Sequence, residues 1–264
     1  HVFLTNSNTH TEMLSRQFPN DADKFSLAGS PRVDALAASQ ATPMDGPPYI
    51  LANTGFSLIN AIWDDDTAIT AATEAWGKEI VRISIEGQTA GIKIMSEVVE
   101  WLIHRHRVVI RPHPGERAEY WRESFPGVEI VERSSPLPWI GNARLLVHAN
   151  STTGIEAALM GTPTLNLDPL PAYGDLTIVK RVNPTVKTKQ KAFSALETFL
   201  ENGEGLGATH NLNALYPPHG AKKTAKAIID MIGNAPSISR VLPWKSLERT
   251  DTQRQKFTAS RQEI

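Results

Sequence analysis

Two apolar runs that end abruptly in polar residues constrain the fold of this 264-residue chain more than any other feature. One run is VVIRPHPG at residues 108–115, and the other is LLVHANSTTGIEA at residues 145–157. Short, near-continuous apolar runs are typical of strands buried on both faces of a parallel sheet. In open α/β sheets, ligands bind outside the carboxyl ends of the strands. The polar residues that follow both runs are therefore predicted to form the working site.

Strands and helices alternate along most of the chain, which predicts an α/β fold with a doubly wound, parallel, Rossmann-like sheet. We expect this domain to occupy residues 48–233. Its strands are predicted at 49–52, 107–110, 128–131, 144–148 and 163–167, and its helices at 89–106, 119–124, 136–142, 153–160 and 221–232.

The flanking regions differ from this domain in composition. Residues 1–40 contain strand-like segments at 2–4 and 24–27, a helix at 9–17, and a turn at 28–35 marked by Gly29 and Pro31. Residues 40–48 are rich in Pro and Gly and are predicted to be a linker. Because the chain starts at His1 inside a strand-like run, we expect residues 1–40 to be the end of an incomplete domain. Residues 234–264 are expected to be a C-terminal extension.

Composition excludes several classes of function. The 27 basic and 28 acidic residues give a net charge of -1, so no general attraction to nucleic acid is expected. The absence of cysteine rules out disulfides, cysteine-based zinc sites and a thiol nucleophile, and it agrees with an expected cytoplasmic location. His104 and His106, at the end of a helix, have no second ligand cluster, and the acidic run at 64–66 favours a solvated loop over a divalent-ion site, so no metal or other cofactor is predicted.

The first motif places His113 between Pro112 and Pro114, directly after a strand and before Gly115. Both prolines restrict the backbone, so the imidazole is held in a narrow range of directions before any ligand arrives. A preorganised histidine beside Arg111 suits a phosphate or a carboxylate. The alternative is a rigid turn in which the imidazole satisfies a backbone carbonyl.

The second motif is a strand-to-helix turn with four small hydrogen-bonding side chains: Asn150, Ser151, Thr152 and Thr153. Free amides at a helix N-terminus, with the positive end of the helix dipole behind them, form an anion cradle that is usually used for phosphate. The alternative is a capping box between Thr153 and Glu156. Glu156 is also a candidate acceptor for ribose hydroxyls.

A third strand end, at Asn53 and Thr54, is followed by Gly55, which allows close approach of a ligand to the backbone. A ligand contact and a simple turn remain open there. Ser151 lacks the glycine-flanked elbow of a serine hydrolase. The single-glycine turns match neither the dinucleotide fingerprint nor the P-loop.

Four segments together resemble the nucleotide-sugar-binding half of a GT-B glycosyltransferase. They are GSPRVD at 29–34, ILANTGF at 50–56, His113-Pro114, and NSTTGIEA at 150–157. More narrowly, the chain resembles bacterial surface-carbohydrate biosynthesis proteins related to β-Kdo transferases, and more distantly sialyl- and polysialyltransferases. The resemblance implies that residues 48–233 are a GT-B C-terminal domain and that residues 1–40 are a remnant of its partner domain.

In these relatives, the His-Pro motif and the later Ser/Thr turn hold the CMP portion of a CMP-sugar. The resemblance implies that His113 contacts the phosphate and assists the leaving CMP. It assigns the other nucleotide contacts to Arg111, Pro114, Gly115, Asn53, Thr54, Asn150, Ser151, Thr152, Thr153 and Glu156. The implied reaction is transfer of Kdo, or a similar acidic sugar, from a CMP-sugar donor to a glycan or lipid-linked acceptor.

One departure from the family pattern concerns catalysis. The relatives carry an acidic Asp/Glu-Glu-Gly-type motif in the other Rossmann half, and this chain has no such motif. We therefore expect the catalytic carboxylate to lie upstream of His1, in an N-terminal half of the same polypeptide, and we expect this chain to be inactive alone. A lipid-linked acceptor would bring that parent protein to the inner membrane surface.

Three alternatives to this function remain open. Two are enzymes with similar strand-end features: a GT-B-like UDP-sugar 2-epimerase and a CDP-polyol phosphotransferase. The third is a non-catalytic nucleotide-binding module. The Gly-Thr-Pro pattern that ends at Pro163 is shared by many GT-B proteins, including sugar-nucleotide epimerases, so it indicates the fold more than the substrate.

Overall fold

The computed structural model of the chain describes residues 3–38, 43–170, 179–208 and 212–233. The chain divides into two compact units, His1–Ala225 and Lys226–Ile264. Of the second unit, only the helical residues 226–233 are described. The predicted extension at 234–264 and part of the predicted linker, residues 40–42, lie outside the described residues.

Eight strands and eleven α-helices are described. The strands are β1 (Phe3–Thr5), β2 (Phe25–Leu27), β3 (Ile50–Asn53), β4 (Val108–Arg111), β5 (Glu129–Ile130), β6 (Leu145–His148), β7 (Thr164–Leu167) and β8 (Thr185–Val186). The helices are α1 (Asn8–Gln17), α2 (Pro31–Ala38), α3 (Asp65–Trp76), α4 (Lys78–Ile103), α5 (Ala118–Ser124), α6 (Pro136–Asn142), α7 (Thr153–Met160), α8 (Val179–Val182), α9 (Lys189–Asn202), α10 (Leu212–Leu215) and α11 (Gly220–Gly233). A 3-10 helix covers Pro19–Lys24.

The main sheet has six strands in the order β5-β4-β3-β6-β7-β8, and every neighbouring pair is parallel. This is the predicted doubly wound, Rossmann-like α/β fold. From β3 the chain first builds the sheet outward through β4 and β5, and then returns to the other side of β3 with β6. The reversal places a topological switch point at the carboxyl end of β3, where such folds bind ligands.

Both faces of the sheet are covered, which explains the near-continuous apolar runs. Ile50 and Ala52 pack in the cluster that includes α4, α5 and α9. Leu51 points to the opposite face, where it packs with residues of α6 and α7. Complete burial of a leucine such as Leu51 stabilises the fold by about 1.5–3 kcal/mol. Since side chains alternate along a strand, Asn53 lies on the same face as Leu51.

The N-terminal region differs from its prediction in one respect. β1 and β2 pair in parallel as a separate two-stranded sheet, close to the predicted positions. The segment 28–35, however, is not only a turn. Gly29 turns the chain in the left-handed region (φ +83°), and Pro31 then opens helix α2. Proline suits the first helical position because its missing N–H has no partner there in any helix.

Helix boundaries and helix count also differ from prediction. α4 begins at Lys78 rather than at 89, directly after Gly77, which separates it from α3. Several elements were absent from the prediction, among them α8, β8, α9 and α10. The sequence does contain signals for α9: Thr188 caps its start by accepting from Lys191 N, and Gly203 ends it in the left-handed region. No helix in the described part of the chain combines the length and the apolar character of a membrane span.

Candidate functional site

A row of buried polar side chains crosses the main sheet at the switch point. In the strand register, Asn53 is paired with Arg111 on one side and with His148 on the other, and His148 is paired with Asn166. Paired residues in a parallel sheet project to the same face, so the four side chains form one row. All four are at least 95% buried. Buried polar groups need partners, and several atoms of this row find them in the neighbouring loops, whereas Arg111 Nε and His148 Nε2 have no hydrogen-bond partner in the described part of the chain.

The row holds the loop between β6 and α7. The amide of Asn150 donates to Asn166 Oδ1 at 2.7 Å, and the amide of Ser151 donates to His148 Nδ1 at 3.3 Å. Asn53 Nδ2 donates to Thr153 Oγ1 at 3.1 Å and to Ser151 Oγ at 3.5 Å. The two hydroxyls are in turn 2.8 Å apart. The side chains of the sheet therefore hold this loop in position before any ligand binds.

These bonds correct the prediction of a cradle of free amides. Besides Asn150 and Ser151, the amide of Thr153 donates to Ser151 Oγ at 3.3 Å, and that of Gly154 donates to Ser151 O at 3.0 Å. The amides of Asn150 and Ser151 are thus used by polar side chains of the sheet, and those of Thr153 and Gly154 are used within the loop itself. What remains exposed on the loop is Thr152, the residue before α7.

Asn150 adopts the left-handed conformation, with φ of +49°, and its side chain donates to Asp168 Oδ1 at 2.6 Å. Asparagine tolerates this conformation better than other residues except glycine. Asp168 is buried and also pairs with Lys180, with 2.7 Å between Oδ2 and Nζ. The carboxyl end of β7 thus fixes the strained corner of the loop after β6.

His148 is fully buried, and burial lowers its pKa to about 3, while the neighbouring Asn183 side chain acts in the opposite direction. Because Nδ1 accepts from Ser151, the neutral ring carries its proton on Nε2. Gly154 leaves room for this arrangement. A Cβ on Gly154 would lie 2.4 Å from His148 Nε2 and 2.3 Å from Asn183 Oδ1.

His113 lies exposed at the rim of the site, as do Pro114 and, in part, Gly115. Its Nδ1 accepts a hydrogen bond from the amide of Gly115 at 3.1 Å. The turn is closed by the amide of Glu116, which donates to His113 O at 2.8 Å. The turn is therefore rigid, as the alternative reading proposed, but the ring accepts from a backbone amide instead of donating to a carbonyl.

Glu116 was absent from the sequence prediction, although it links two of the predicted strand ends. It is 96% buried and accepts from the Thr54 hydroxyl with both oxygens, at 2.8 and 2.9 Å. It also accepts from the amide of His113 at 3.0 Å and from Trp121 Nε1 at 3.2 Å. Burial raises the pKa of Glu116, and these hydrogen bonds oppose the shift. A glutamate after a proline-glycine turn is ordinarily exposed, so the sequence contains no signal for this role.

Arg111 and Glu156 both have protein partners. Arg111 Nη1 donates to Asn53 Oδ1 at 3.1 Å, and Nη2 donates to Ser134 O at 2.7 Å. Burial lowers the pKa of Arg111, while the charge of Glu156 raises it. Glu156 forms an ion pair with Arg32 of α2. The predicted capping box between Thr153 and Glu156 is wrong, because the helix begins after Thr152 and Glu156 is paired with Arg32 instead.

A cavity of about 270 Å³ opens beside the switch point. Its walls come from the loop after β3, the middle of α4, and the ends of β6 and β7; they include Gly55, Phe56, Gln88, Asn150, Asp168 and Lys180. Among the described residues, no group of three or more His, Asp or Glu side chains is arranged to hold a metal ion. Asp64 instead caps α3 by accepting from Thr67 N at 2.7 Å.

The structure thus brings most of the predicted residues to one edge of the sheet. Asn53 directly joins Arg111, Ser151 and Thr153, and Glu116 joins Thr54 to His113. Thr152, Pro114 and Gly115 lie at the exposed rim. Asn166 and Asp168, which sequence reasoning missed, hold Asn150 from the neighbouring strand.

Solved structures of nucleotide-sugar enzymes share this fold. UDP-GlcNAc 2-epimerase from Methanocaldococcus jannaschii, in complex with UDP-GlcNAc and UDP, superposes with a TM-score of 0.50 at 17% identity, over 89% of this chain and 61% of the epimerase. A putative UDP-N-acetylglucosamine 2-epimerase from Listeria monocytogenes gives 0.53 at 13% identity, over 91% of this chain and 62% of its own. The wall teichoic acid polymerase TagF (H548A) gives 0.48 at 11% identity, over 88% of this chain and 57% of its own.

No protein-family model matches the chain, and no curated protein matches it by sequence. The chain spans about three fifths of the length of the two epimerases. At these identities the likeness concerns the fold. The chain has a GT-B-type, Rossmann-like α/β fold.

Proposed function

We propose that this chain is the nucleotide-sugar-binding portion of a GT-B glycosyltransferase that transfers Kdo, or a similar acidic sugar, from a CMP-sugar to a bacterial surface glycan. The observation that carries the proposal is the convergence of the family-like segments at the switch point. Asn53 of the second segment bonds to Ser151 and Thr153 of the fourth, and Glu116 ties Thr54 to His113 of the third.

In this proposal, the phosphate of CMP lies between the two loops. The exposed imidazole of His113 binds it from one side, and the hydroxyls of Ser151, Thr152 and Thr153 bind it from the other. The positive end of the α7 dipole favours an anion at this position. Hydrogen bonding from His113 stabilises the charge that develops on the departing phosphate as the bond to the sugar breaks. Arg111 acts indirectly, by holding Asn53.

Glu156 is proposed to accept a hydrogen bond from the ribose. One of its oxygens is paired with Arg32, whereas the other, Oε2, has no hydrogen-bond partner in the described part of the chain. Oε2 is buried, so a ribose hydroxyl would bond to it only after the side chains around it shift; that bond would satisfy an acceptor that is costly to leave unpaired. The catalytic carboxylate is assigned to the N-terminal half of the polypeptide, so this chain should bind CMP without turning over a CMP-sugar.

Nucleotide selectivity tests the proposal. Because the proposed donor is a CMP-sugar, we expect CMP to raise the melting temperature of the chain more than UMP, and CDP more than UDP. A ligand that binds only the folded state stabilises it, by about 2.7 kcal/mol at 100 times the dissociation constant. Preference for UDP, the nucleotide present in the Methanocaldococcus epimerase complex, would instead favour the 2-epimerase alternative. No stabilisation by any of the four nucleotides would contradict both.

His113→Ala tests whether the thermal shift caused by CMP arises from binding at the proposed site. We expect the substitution to abolish most of the thermal shift caused by CMP, because it removes the exposed imidazole at the rim. His104→Ala is the matched control: His104 is also exposed, but it follows α4 and precedes the start of β4, whereas His113 follows the end of β4. An unchanged CMP response in His113→Ala would show that the site lies elsewhere.

A further inference from the structure

We propose that Glu116 is a positioning residue of the nucleotide site, which holds His113 against the loop after β3 and must be a carboxylate to do so. The inference rests on the proposed function, because it takes CMP as the ligand that His113 contacts. Glu116 belongs to neither of the polar turns that the family-like segments contain, and it is almost completely buried.

Every hydrogen-bond partner of the Glu116 side chain is a donor. Oε1 accepts from the His113 amide at 3.0 Å, and Oε2 accepts from Trp121 Nε1 at 3.2 Å. The Thr54 hydroxyl lies within 2.9 Å of both oxygens, and the Phe56 amide is a further donor. Amide and indole N–H groups cannot accept a hydrogen bond. A glutamine would therefore place its NH₂ against one of these N–H groups in either orientation of the amide.

The contacts join three separate elements. Thr54 and Phe56 follow β3, His113 follows β4, and Trp121 belongs to α5. Asn53, next to Thr54 in the chain, bonds to Ser151 and Thr153 of the loop between β6 and α7. Glu116 thus fixes the position of His113 relative to the hydroxyls proposed to share the phosphate with it.

A role in packing alone does not explain why this buried side chain is a carboxylate. Burying an ionised group costs free energy, which hydrogen bonds offset only when its oxygens are well satisfied. None of the described hydrogen-bond partners of Glu116 is a cation. An apolar side chain would fill the same space at lower cost, but it could not hold the His113 amide.

The test is the CMP affinity of Glu116→Gln in the full 264-residue chain, measured by calorimetry. We expect the affinity to fall on the order of 10- to 100-fold, because one buried N–H group would lose its acceptor and His113 would be displaced from its position. The ring resonances of His113 should shift in the NMR spectrum, while those of His104 and His106 stay unchanged. The matched control is Glu119→Gln on α5, an exposed glutamate whose replacement should leave CMP affinity within twofold.

A double variant separates positioning from a general loss of structure. In Glu116→Gln with Trp121→Phe, the amide can turn its NH₂ toward the phenylalanine and still accept from His113. We expect this pair to recover at least part of the lost CMP affinity. Glu116→Asp is the variant to use if Glu116→Gln does not fold. A similar loss is expected, because the shortened carboxylate cannot reach His113 and Thr54 together.

The outcomes separate this inference from the proposed function. If the wild-type chain binds CMP and a folded Glu116 variant binds it within twofold of wild type, the positioning role is overturned while the proposed function stands. If the wild-type chain does not bind CMP, the proposed function fails. Loss of affinity in Glu116→Gln without any change at the His113 ring would also overturn the positioning role.

Discussion

At the residue scale, Gly154 has the sharpest steric constraint near the site. It lies in the first turn of α7, between the buried side chains of His148 and Asn183. Asn183 Nδ2 also donates to Gly154 O at 3.1 Å and to Thr164 Oγ1 at 2.7 Å, so its side chain cannot move aside freely. The loop that holds Ser151 and Thr153 therefore depends on the absence of a side chain at this position.

We expect Gly154→Ala to lower the free energy of unfolding by about 1–3 kcal/mol, because its Cβ would lie under 2.5 Å from two buried polar atoms. Helix propensity alone would give the opposite sign, since alanine is favoured over glycine by about 1 kcal/mol. Urea denaturation measures the difference. Gly207→Ala is the control, since nothing lies within 4 Å of its Cβ position. A Gly154→Ala variant as stable as wild type would contradict the packing described here.

The buried His148 makes a pH-dependent contribution to stability. Its pKa in the folded chain is about 3, against 6.5 for an unperturbed histidine. Between these values the unfolded chain binds one more proton than the folded chain at this residue. The free energy of unfolding should therefore fall as the pH is lowered from 6.5, by up to about 1.4 kcal/mol per pH unit from this residue. Above pH 6.5 the contribution is constant.

NMR titration of the His148 ring tests this directly. We expect its nitrogen shifts to remain those of a neutral imidazole, with the proton on Nε2, from pH 8 to pH 5. His104, which is exposed, provides an internal comparison within the same spectra. A His148 midpoint near 6.5 would mean that the ring is not buried as the structure describes.

At the scale of elements, the backbone just before α2 packs directly against Gly220 at the start of α11. A Cβ on Gly220 would lie 2.3 Å from Ser30 N and 2.8 Å from Gly29 C, and both are backbone atoms. Asp34 reinforces this contact by accepting from the amide of Ala221 at 2.8 Å, which lowers the pKa of Asp34. The contact anchors α2, whose Arg32 reaches Glu156 at the site.

We expect Gly220→Ala to destabilise the chain by about 1–3 kcal/mol and also to weaken CMP binding, since shifting α2 would move Arg32 away from Glu156. Lys222→Ala, an exposed position on the same helix, should change neither quantity. Urea denaturation and calorimetry with CMP measure the two effects. A fully stable Gly220→Ala variant would contradict this close contact.

The elements that could be predicted from sequence are those whose ends carry local signals. α6 and α7 have their predicted bounds, since Pro136 opens the first and Gly161, with φ of +78°, ends the second. An apolar run that ends in polar residues is an equally local signal for a strand end. Asn53, Arg111 and Ser151 could therefore be identified as candidate site residues from the sequence.

Other features depend on which elements become neighbours, and the sequence does not show this locally. Asn166 sits within a strand-like run, and its role appears only because β7 lies beside β6. Glu116 becomes a buried acceptor only because the loop after β3 and α5 close over it. The hydrogen bonds from the Asn150 and Ser151 amides to the sheet have the same origin, since they require the polar row across four strands.

At the scale of the whole molecule, the chain combines a six-stranded Rossmann-like sheet with a separate two-stranded parallel sheet, β1-β2. A two-stranded sheet is marginally stable by itself. The chain also spans about three fifths of the length of the two epimerases that share its fold. In the proposed function, nucleotide binding lies in this chain and the catalytic carboxylate is supplied from outside it.

The most direct test of the central claim is a crystal structure of the chain with CMP. We expect electron density for CMP between residues 111–115 and 150–154. The phosphate should lie within hydrogen-bond distance of the His113 ring and of a hydroxyl of Ser151, Thr152 or Thr153. The ribose should approach Glu156 Oε2. CMP bound at another place on the molecule, with the space between these two loops empty, would contradict the proposed nucleotide site.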